Sequence, residues 1–347
     1  DLKSVADEKA AQYLLKPNDI VFARTGASTG RNYFYDGTDG ELVYAGFLIK
    51  FSIDPEKVNP KYVKYYCLSD AYRGWIHSFN TGSTRGNINA RTLGEMPVPV
   101  PPRSQQDGIV DILSCLDEKI RKNMEINKNL EQQAQTYFQE LFVDNADPAW
   151  HLGTISDLGA VVGGSTPSKS KPEYYAKNGI AWITPKDLSI NKAKFISHGE
   201  NDITELGLKN SSAIIMPKGT VLFSSRAPIG YIAIAAGEVT TNQGFKSVVP
   251  NAEIGTAFAY YFLKHNLPII EGMASGSTFK EISGSTMKSV PAIIPDSETL
   301  GRFNDFCNSI FAQQQILEEQ NQRLSSMRDN LLPKLMSGEF DVSGINL

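Results

Sequence analysis

QQDGIVDILSCLDEKIRKNMEINKNLEQQAQTYFQELF, residues 105–142, decides the architecture. Ile109, Leu113, Leu116, Ile120, Asn123, Asn127, Leu130, Ala134, Tyr137 and Leu141 follow one another in alternating steps of four and three. That is the seam of a coiled coil. A second stretch carries Phe303, Cys307, Ile310, Gln314, Leu317, Asn321, Leu324, Arg328, Leu331 and Leu335 at the same steps. Each helix would run about 50 Å at the helical rise per residue. Asn127 and Asn321 hold matching places in the two seams. A polar residue on an apolar seam weakens burial but fixes register, which suits two helices that pair in one alignment. The pattern predicts an antiparallel pair with a globular module at either end. Two separate surface helices, each docked on its own module, would not need seams this long.

Outward from the helices, the chain repeats itself. Gly82-Ser83-Thr84, followed by Pro97-Val98-Pro99-Val100-Pro101, matches Gly276-Ser277-Thr278, followed by Pro291-Ala292-Ile293-Ile294-Pro295, at equal spacing. Upstream, Pro17, Phe22, Ala27 and Gly30 match Pro217, Leu222, Ala227 and Gly230. The order is module, helix, module, helix, a pseudo-two-fold internal repeat. In the first module Ile20-Val21-Phe22-Ala23 reads as a strand, Leu42–Ile53 as a β-rich run broken at Gly46, and Lys61–Trp75 as a helix. The second module opens with the turn Gly163-Gly164-Ser165-Thr166-Pro167, then a buried strand Ile180-Ala181-Trp182-Ile183-Thr184 ending at Pro185. Repeat arithmetic aligns Lys3 near Ile203, so the first module lacks the counterpart of roughly fifty residues. The expected reading is a truncated or rearranged product, or a first module whose front comes from elsewhere.

A chain of 347 residues with 41% hydrophobic and 21% charged residues suits two ordinary domains, and no apolar run is long enough to span a membrane. The start, Asp1-Leu2-Lys3, has the form of neither a signal nor a transit peptide, so the expected location is cytoplasmic. Cys67, Cys115 and Cys307 lack CxxC spacing and form no ligand cluster with His77, His151, His198 or His265. The net charge of −4 argues against a strongly basic nucleic-acid binder without excluding a local basic face. Catalytic motifs fail one by one. Gly26–Gly30 lacks the Gly-Lys-Ser/Thr ending of a phosphate loop, and Gly159–Gly164 misses dinucleotide spacing. Asp117 and Lys119 imitate a nuclease pair, but their heptad setting reads as a solvated helix face.

Taken together, several blocks resemble the specificity subunit of Type I restriction-modification systems. They are Leu158-Gly159, Gly163–Ser168, Gly179–Ile183, Lys186-Asp187-Leu188, Thr241-Asn242-Gln243-Gly244-Phe245, the Gly276-Ser277-Thr278 loop, Val290-Pro291, and Leu331–Glu339. The resemblance implies an α+β fold. Two mixed α/β target-recognition domains, 1–103 (incomplete at its front) and 151–297, would be joined by spacer helices 104–143 and 298–337 in an antiparallel coiled coil. It implies a non-catalytic subunit that reads a bipartite double-stranded DNA target. Two modification subunits, carrying S-adenosylmethionine, would methylate adenine; restriction subunits would bring ATP, magnesium and cleavage. The chain itself would bind no cofactor or metal and no membrane. The incomplete first domain leaves self-association open. The alternative from another class is a two-headed protein scaffold with no DNA contact, which predicts apolar or acidic patches on the module loops.

Base readout needs donors and acceptors on loops that enter a groove, and phosphate contacts need cations or amides. In the first module the candidates are Arg24, Thr25, Arg31, Arg85, Asn87 and Arg91; in the second they are Lys186, Arg226, Asn242, Gln243, Thr278 and Lys280. For any one of these, a solvated side chain or a structural hydrogen bond is the bland reading. Leu116, Ile120, Asn127, Leu130, Ile310, Leu317, Asn321 and Leu324 are expected between the helices. Tyr137, Phe138 and Phe142 are expected to dock on a module or on a partner.

Overall fold

The computed structural model describes residues 10–79, 87–276 and 280–342. The described residues up to Lys122 and from Asn321 form one compact unit, and Asn123–Gln320 form a second.

In the first unit, β1 (Asp19–Ala23) lies between β2 (Asn32–Tyr35) and β3 (Leu48–Ser52), antiparallel to both. Strand alternation sends Ile20 and Phe22 into a core with Val63, Tyr66, Tyr72, Ile76 and Leu93. Val21 faces the other way, onto Leu15 and Tyr35. Asp19 is buried, and its carboxylate accepts from Ser52 Oγ (2.6 Å) and Lys50 Nζ (3.1 Å). The β-rich run from Leu42 proves to be a strand only from Leu48, with Val43 bridging Leu14. The single helix expected over Lys61–Trp75 is two, α1 (Pro60–Tyr66) and α2 (Asp70–Ser78). The break has a local cause. Ser69 Oγ accepts from Tyr72 N and caps a new helix start. A short α3 (Ala90–Gly94) follows, then the long α4 (Arg103–Gln139), extended by one π turn to Asp144.

The second unit holds a five-stranded sheet. Its strands are β4 (Gly159–Gly163), β5 (Phe195–Ile196), β6 (Val221–Ser225), β7 (Ile229–Ala235) and β8 (Lys246–Pro250), in the order β4-β8-β6-β7-β5. The inner trio β7-β6-β8 reproduces β2-β1-β3, so the sequence repeat is a repeat of strand topology. β4 and β5 widen this sheet on either side, and the first unit has no counterpart of them among its described residues. Central β6 is buried throughout, with Val221 and Phe223 in one core cluster and Leu222 in another. Onto the first cluster pack α5 (Thr256–His265), α6 (Leu267–Gly272) and the long α7 (Ser297–Met336).

The seams pair as their period requires. In the first unit Ile109 and Leu113, early in α4, meet Leu332 and Leu335, late in α7. In the second, Ala134 and Phe138 meet Phe303, Cys307 and Ile310. Within each unit the helices are therefore antiparallel. Ile310 and Leu317 are buried, and Leu116, Ile120, Leu130 and Leu324 are half-buried. At the polar layers Asn123 Nδ2 donates to Gln320 Oε1 (3.4 Å), and Gln314 Nε2 donates to the backbone carbonyl of Asn127 (3.2 Å), whose side-chain oxygen is buried without a hydrogen-bond partner. Tyr137, Phe138 and Phe142 dock on the second module's own core, against Phe303 and Phe258.

Gly30 and Gly230 share a reason for being glycine. Their φ angles are +83° and +91°, and an added Cβ would lie 2.6 Å from Ile76 Cγ2 or 2.5 Å from Leu267 Cδ1. Gly230→Ala is expected to cost about 1–3 kcal/mol, from the left-handed backbone and the displaced leucine together. Urea unfolding measures it, and a loss under about 0.5 kcal/mol would contradict the packing described.

Candidate nucleic-acid interface

Antiparallel order gathers distant segments at one sheet end. β6 ends there at Ser225, β4 ends at Gly163, and β7 and β8 begin there at Ile229 and Lys246. The connecting turns carry Arg226, Asn242 and Gln243, and Lys186 lies on the short helix Pro185–Ile190. Ser225 N and Oγ both donate to the Gly244 carbonyl (2.7 and 3.1 Å), placing Arg226 beside Asn242-Gln243-Gly244. Ser165 N donates to the Thr241 carbonyl (2.8 Å), and Thr166 Oγ1 to Gln243 Oε1. Gly164 permits this approach, since a Cβ would stand 2.1 Å from the Asn242 carbonyl oxygen. Trp182 anchors the same turn by donating its Nε1 hydrogen to the Ser165 carbonyl (3.0 Å). Ser275 and Glu281 exchange backbone hydrogen bonds, and Ile282 N donates to the Ser225 carbonyl (3.0 Å), so the ends of the Gly-Ser-Thr loop are held at this edge too.

Two clefts open there. One, of ≈ 540 Å³, lies among Thr166, Lys169, Tyr175, Lys186, Asn201, Asn242 and Gln243. The other, of ≈ 670 Å³, lies among Arg226, Pro228, Glu271, Lys280 and Glu281. Glu281 sits between Arg226 (3.5 Å) and Lys246 (3.9 Å). Burial and the Arg226 charge pull the Lys246 ammonium below its ordinary pKa, against the pull of Glu281. Lys186 is exposed and pairs with Glu200 at 2.6 Å. Chemically this end offers amide and hydroxyl donors and acceptors, flanked by cations and by the carboxylates of Glu200, Glu271 and Glu281.

The first unit repeats the arrangement. Ile88 N donates to the Arg24 carbonyl (2.9 Å) and Thr25 bridges Asn87, the counterpart of the Ile282–Ser225 bond. Arg31 opens the return strand beside them. The structure thus brings Arg24, Thr25, Arg31 and Asn87 together. Arg91 lies on α3, four residues beyond Asn87, and pairs with Glu95 at 3.4 Å. Arg85 and Thr278 lie outside the described residues, as do Gly82-Ser83-Thr84. Thr166, Lys169, Asn201 and Lys246 escaped sequence reasoning, although Thr166 belongs to the Gly-Gly-Ser-Thr-Pro turn and Lys246 directly follows the Thr241–Phe245 block.

Each module is tied to the helices by a tyrosine and a carboxylate on α4. In the first unit Tyr65 OH donates to Asp117 (2.8 Å), with Lys64 (3.3 Å) and Arg328 (3.0 Å) on the same carboxylate. This corrects the expectation that Asp117 is a solvated face residue; it lies in a partly buried ion network. In the second unit Glu131 accepts from Tyr261 OH (2.9 Å), Lys264 (2.6 Å) and Lys194. Burial pushes the Glu131 carboxyl up, but the Lys194 charge and the hydrogen bonds from both lysines outweigh it and hold it at about 2, below its ordinary 4.5. A depressed carboxylate stabilises the fold above its unfolded pKa and loses that contribution as pH falls. Glu131→Gln should therefore cost more stability at about pH 7 than at about pH 3, when compared by urea unfolding. Equal losses at both would rule the network out as a source of acid sensitivity.

Two modules, each gathering polar turns at one sheet end and each rooted on the paired helices, define a duplicated recognition protein. Residues 2–132 and 149–325 match the family of the Type I restriction modification DNA specificity domain, and the chain belongs to that family. It is 40% identical over 194 residues to the type I restriction enzyme MjaIX specificity subunit of Methanocaldococcus jannaschii, a match covering 53% of this chain and 45% of that protein. The chain thus spans less than half of that relative's length in the match. The HindI specificity subunit of Haemophilus influenzae is 25% identical, with 95% of this chain and 88% of that one covered. Among solved structures, the S subunit of the Type I restriction-modification system from M. genitalium shares the fold at a TM-score of 0.56, 20% identical, covering 92% of this chain and 83% of that one. The family's specificity subunits are non-catalytic. Among the described residues there is no cluster of metal-ligating side chains, and no helix is long and apolar enough to cross a membrane.

Proposed function

We propose that the chain reads double-stranded DNA as the specificity subunit of a type I restriction-modification complex, with each sheet end reading one half of a bipartite target. The observation that carries this is the gathering of Thr166, Arg226, Asn242 and Gln243 at one sheet end, echoed by Arg24, Thr25, Arg31 and Asn87 in the first unit. Amide side chains and arginine are the groups that read base edges; Lys186 and Lys280 suit phosphates. Membership of the DNA specificity domain family speaks against a protein scaffold with no DNA contact. The paired helices would set the unread gap and seat two modification subunits, which supply S-adenosylmethionine-dependent adenine methylation. Restriction subunits would add ATP- and magnesium-dependent cleavage. The complex would work in the cytoplasm, where the DNA is.

The test is to express the chain with its modification subunits in a host lacking adenine methylation and map modified adenines by single-molecule sequencing. A bipartite word with a constant unread gap is expected. A continuous word, or no modification by a verified complex, would reject the reading.

A further inference from the structure

The second module carries a buried charge cluster that its core does not need for burial. Lys194, just before β5, is 7% exposed. Its ammonium group donates to Glu131, to Gln314 Oε1 (2.7 Å) and to Tyr261 OH (3.2 Å), and stands 4.3 Å from the Phe311 ring centre. The backbone N–H groups of Lys194 and Phe195 donate to the Glu318 carboxylate (2.9 and 3.0 Å). Glu131 belongs to α4, while Gln314 and Glu318 belong to α7. One edge of the module's sheet is thus fastened to both long helices at once.

Measured against apolar side chains in place of the whole pair, such a cluster contributes little net stability. Desolvating the ions offsets most of their attraction, and apolar replacement of a whole buried pair is often neutral or stabilising. Its distinctive effect is geometric. Apolar contacts tolerate sliding at small cost, whereas these directed bonds are satisfied together in one orientation only. The geometry points to Lys194 as a positioning residue that fixes the angle of the second recognition module on the helix pair, and through it the gap length the protein accepts. The inference rests on the DNA reading for its last step alone.

Two measurements separate the steps. Spin labels at Lys209→Cys and Gln133→Cys, both exposed and both in the second unit, report the module-to-helix distance in a Cys115→Ser background. The full chain should give one narrow distance distribution. The double variant Lys194→Met/Glu131→Leu, which removes the buried Lys194–Glu131 pair and leaves Lys264 half-exposed, should at least double its width while unfolding at a similar temperature. Should that variant not fold, Lys194→Gln carries the same comparison. An unchanged width would overturn the positioning role whatever happens on DNA.

In selections from random duplexes, the variant complex should keep both half-site words. Its preference for one gap over gaps a base pair longer or shorter should fall by about tenfold, equivalent to about 1.4 kcal/mol. A broadened distance with the gap preference intact would overturn the link to specificity. If neither protein selects a bipartite word, the DNA reading fails and the positioning role stands on the distances alone.

Discussion

Phe303→Ala should lower the unfolding free energy by about 3–5 kcal/mol. Phe303 is fully buried where α7 enters the second module, with ring centres of Phe142 at 5.1 Å, Phe138 at 5.8 Å, Tyr137 at 5.9 Å and Tyr261 at 6.0 Å. These partners come from the end of α4 and from α5, so one ring closes the contact between both long helices and the module. Truncation removes its burial and leaves a cavity that aromatic neighbours, fixed by one another, cannot collapse to fill. Urea unfolding at neutral pH reads the effect. A loss below about 1 kcal/mol would mean that this junction is looser than its geometry implies.

Gln243→Ala should weaken binding to the second half-site by about 1–3 kcal/mol and relax sequence preference at one position there, leaving the first word intact. Gln243 is exposed on the turn before β8, and its side chain is oriented by Thr166, so on the proposed reading it would meet a groove with little ordering left to lose. Lys280→Ala should act differently, weakening all sequences alike and lowering the salt slope by about 1. Competition binding against duplexes altered one base pair at a time distinguishes the two. A uniform loss in Gln243→Ala would make that residue a phosphate contact.

The helix pair was legible because its signal is local. Steps of four and three show in any window, and Ile109, Leu113, Ala134, Cys307 and Ile310 are buried as their places require. The repeat was legible for the same reason, since the Pro17–Gly30 and Pro217–Gly230 blocks keep their internal spacing. What sequence could not display is what pairing brings together from afar. Thr166 meets Gln243 only because β4 and β8 are neighbours, and Asp117 leaves the solvent only because Tyr65 and Arg328 reach it. The pairing of Lys194 with Glu131 has no local signal for the same reason. Polar residue types mark most of the described candidates as accessible.

The most direct measurement is selection from a randomised duplex library by this chain copurified with its modification subunits, read by sequencing. Two fixed words separated by one constant unread gap are the result expected of two sheet ends held on paired helices. A single uninterrupted word, or no enrichment from a folded complex, would contradict the account.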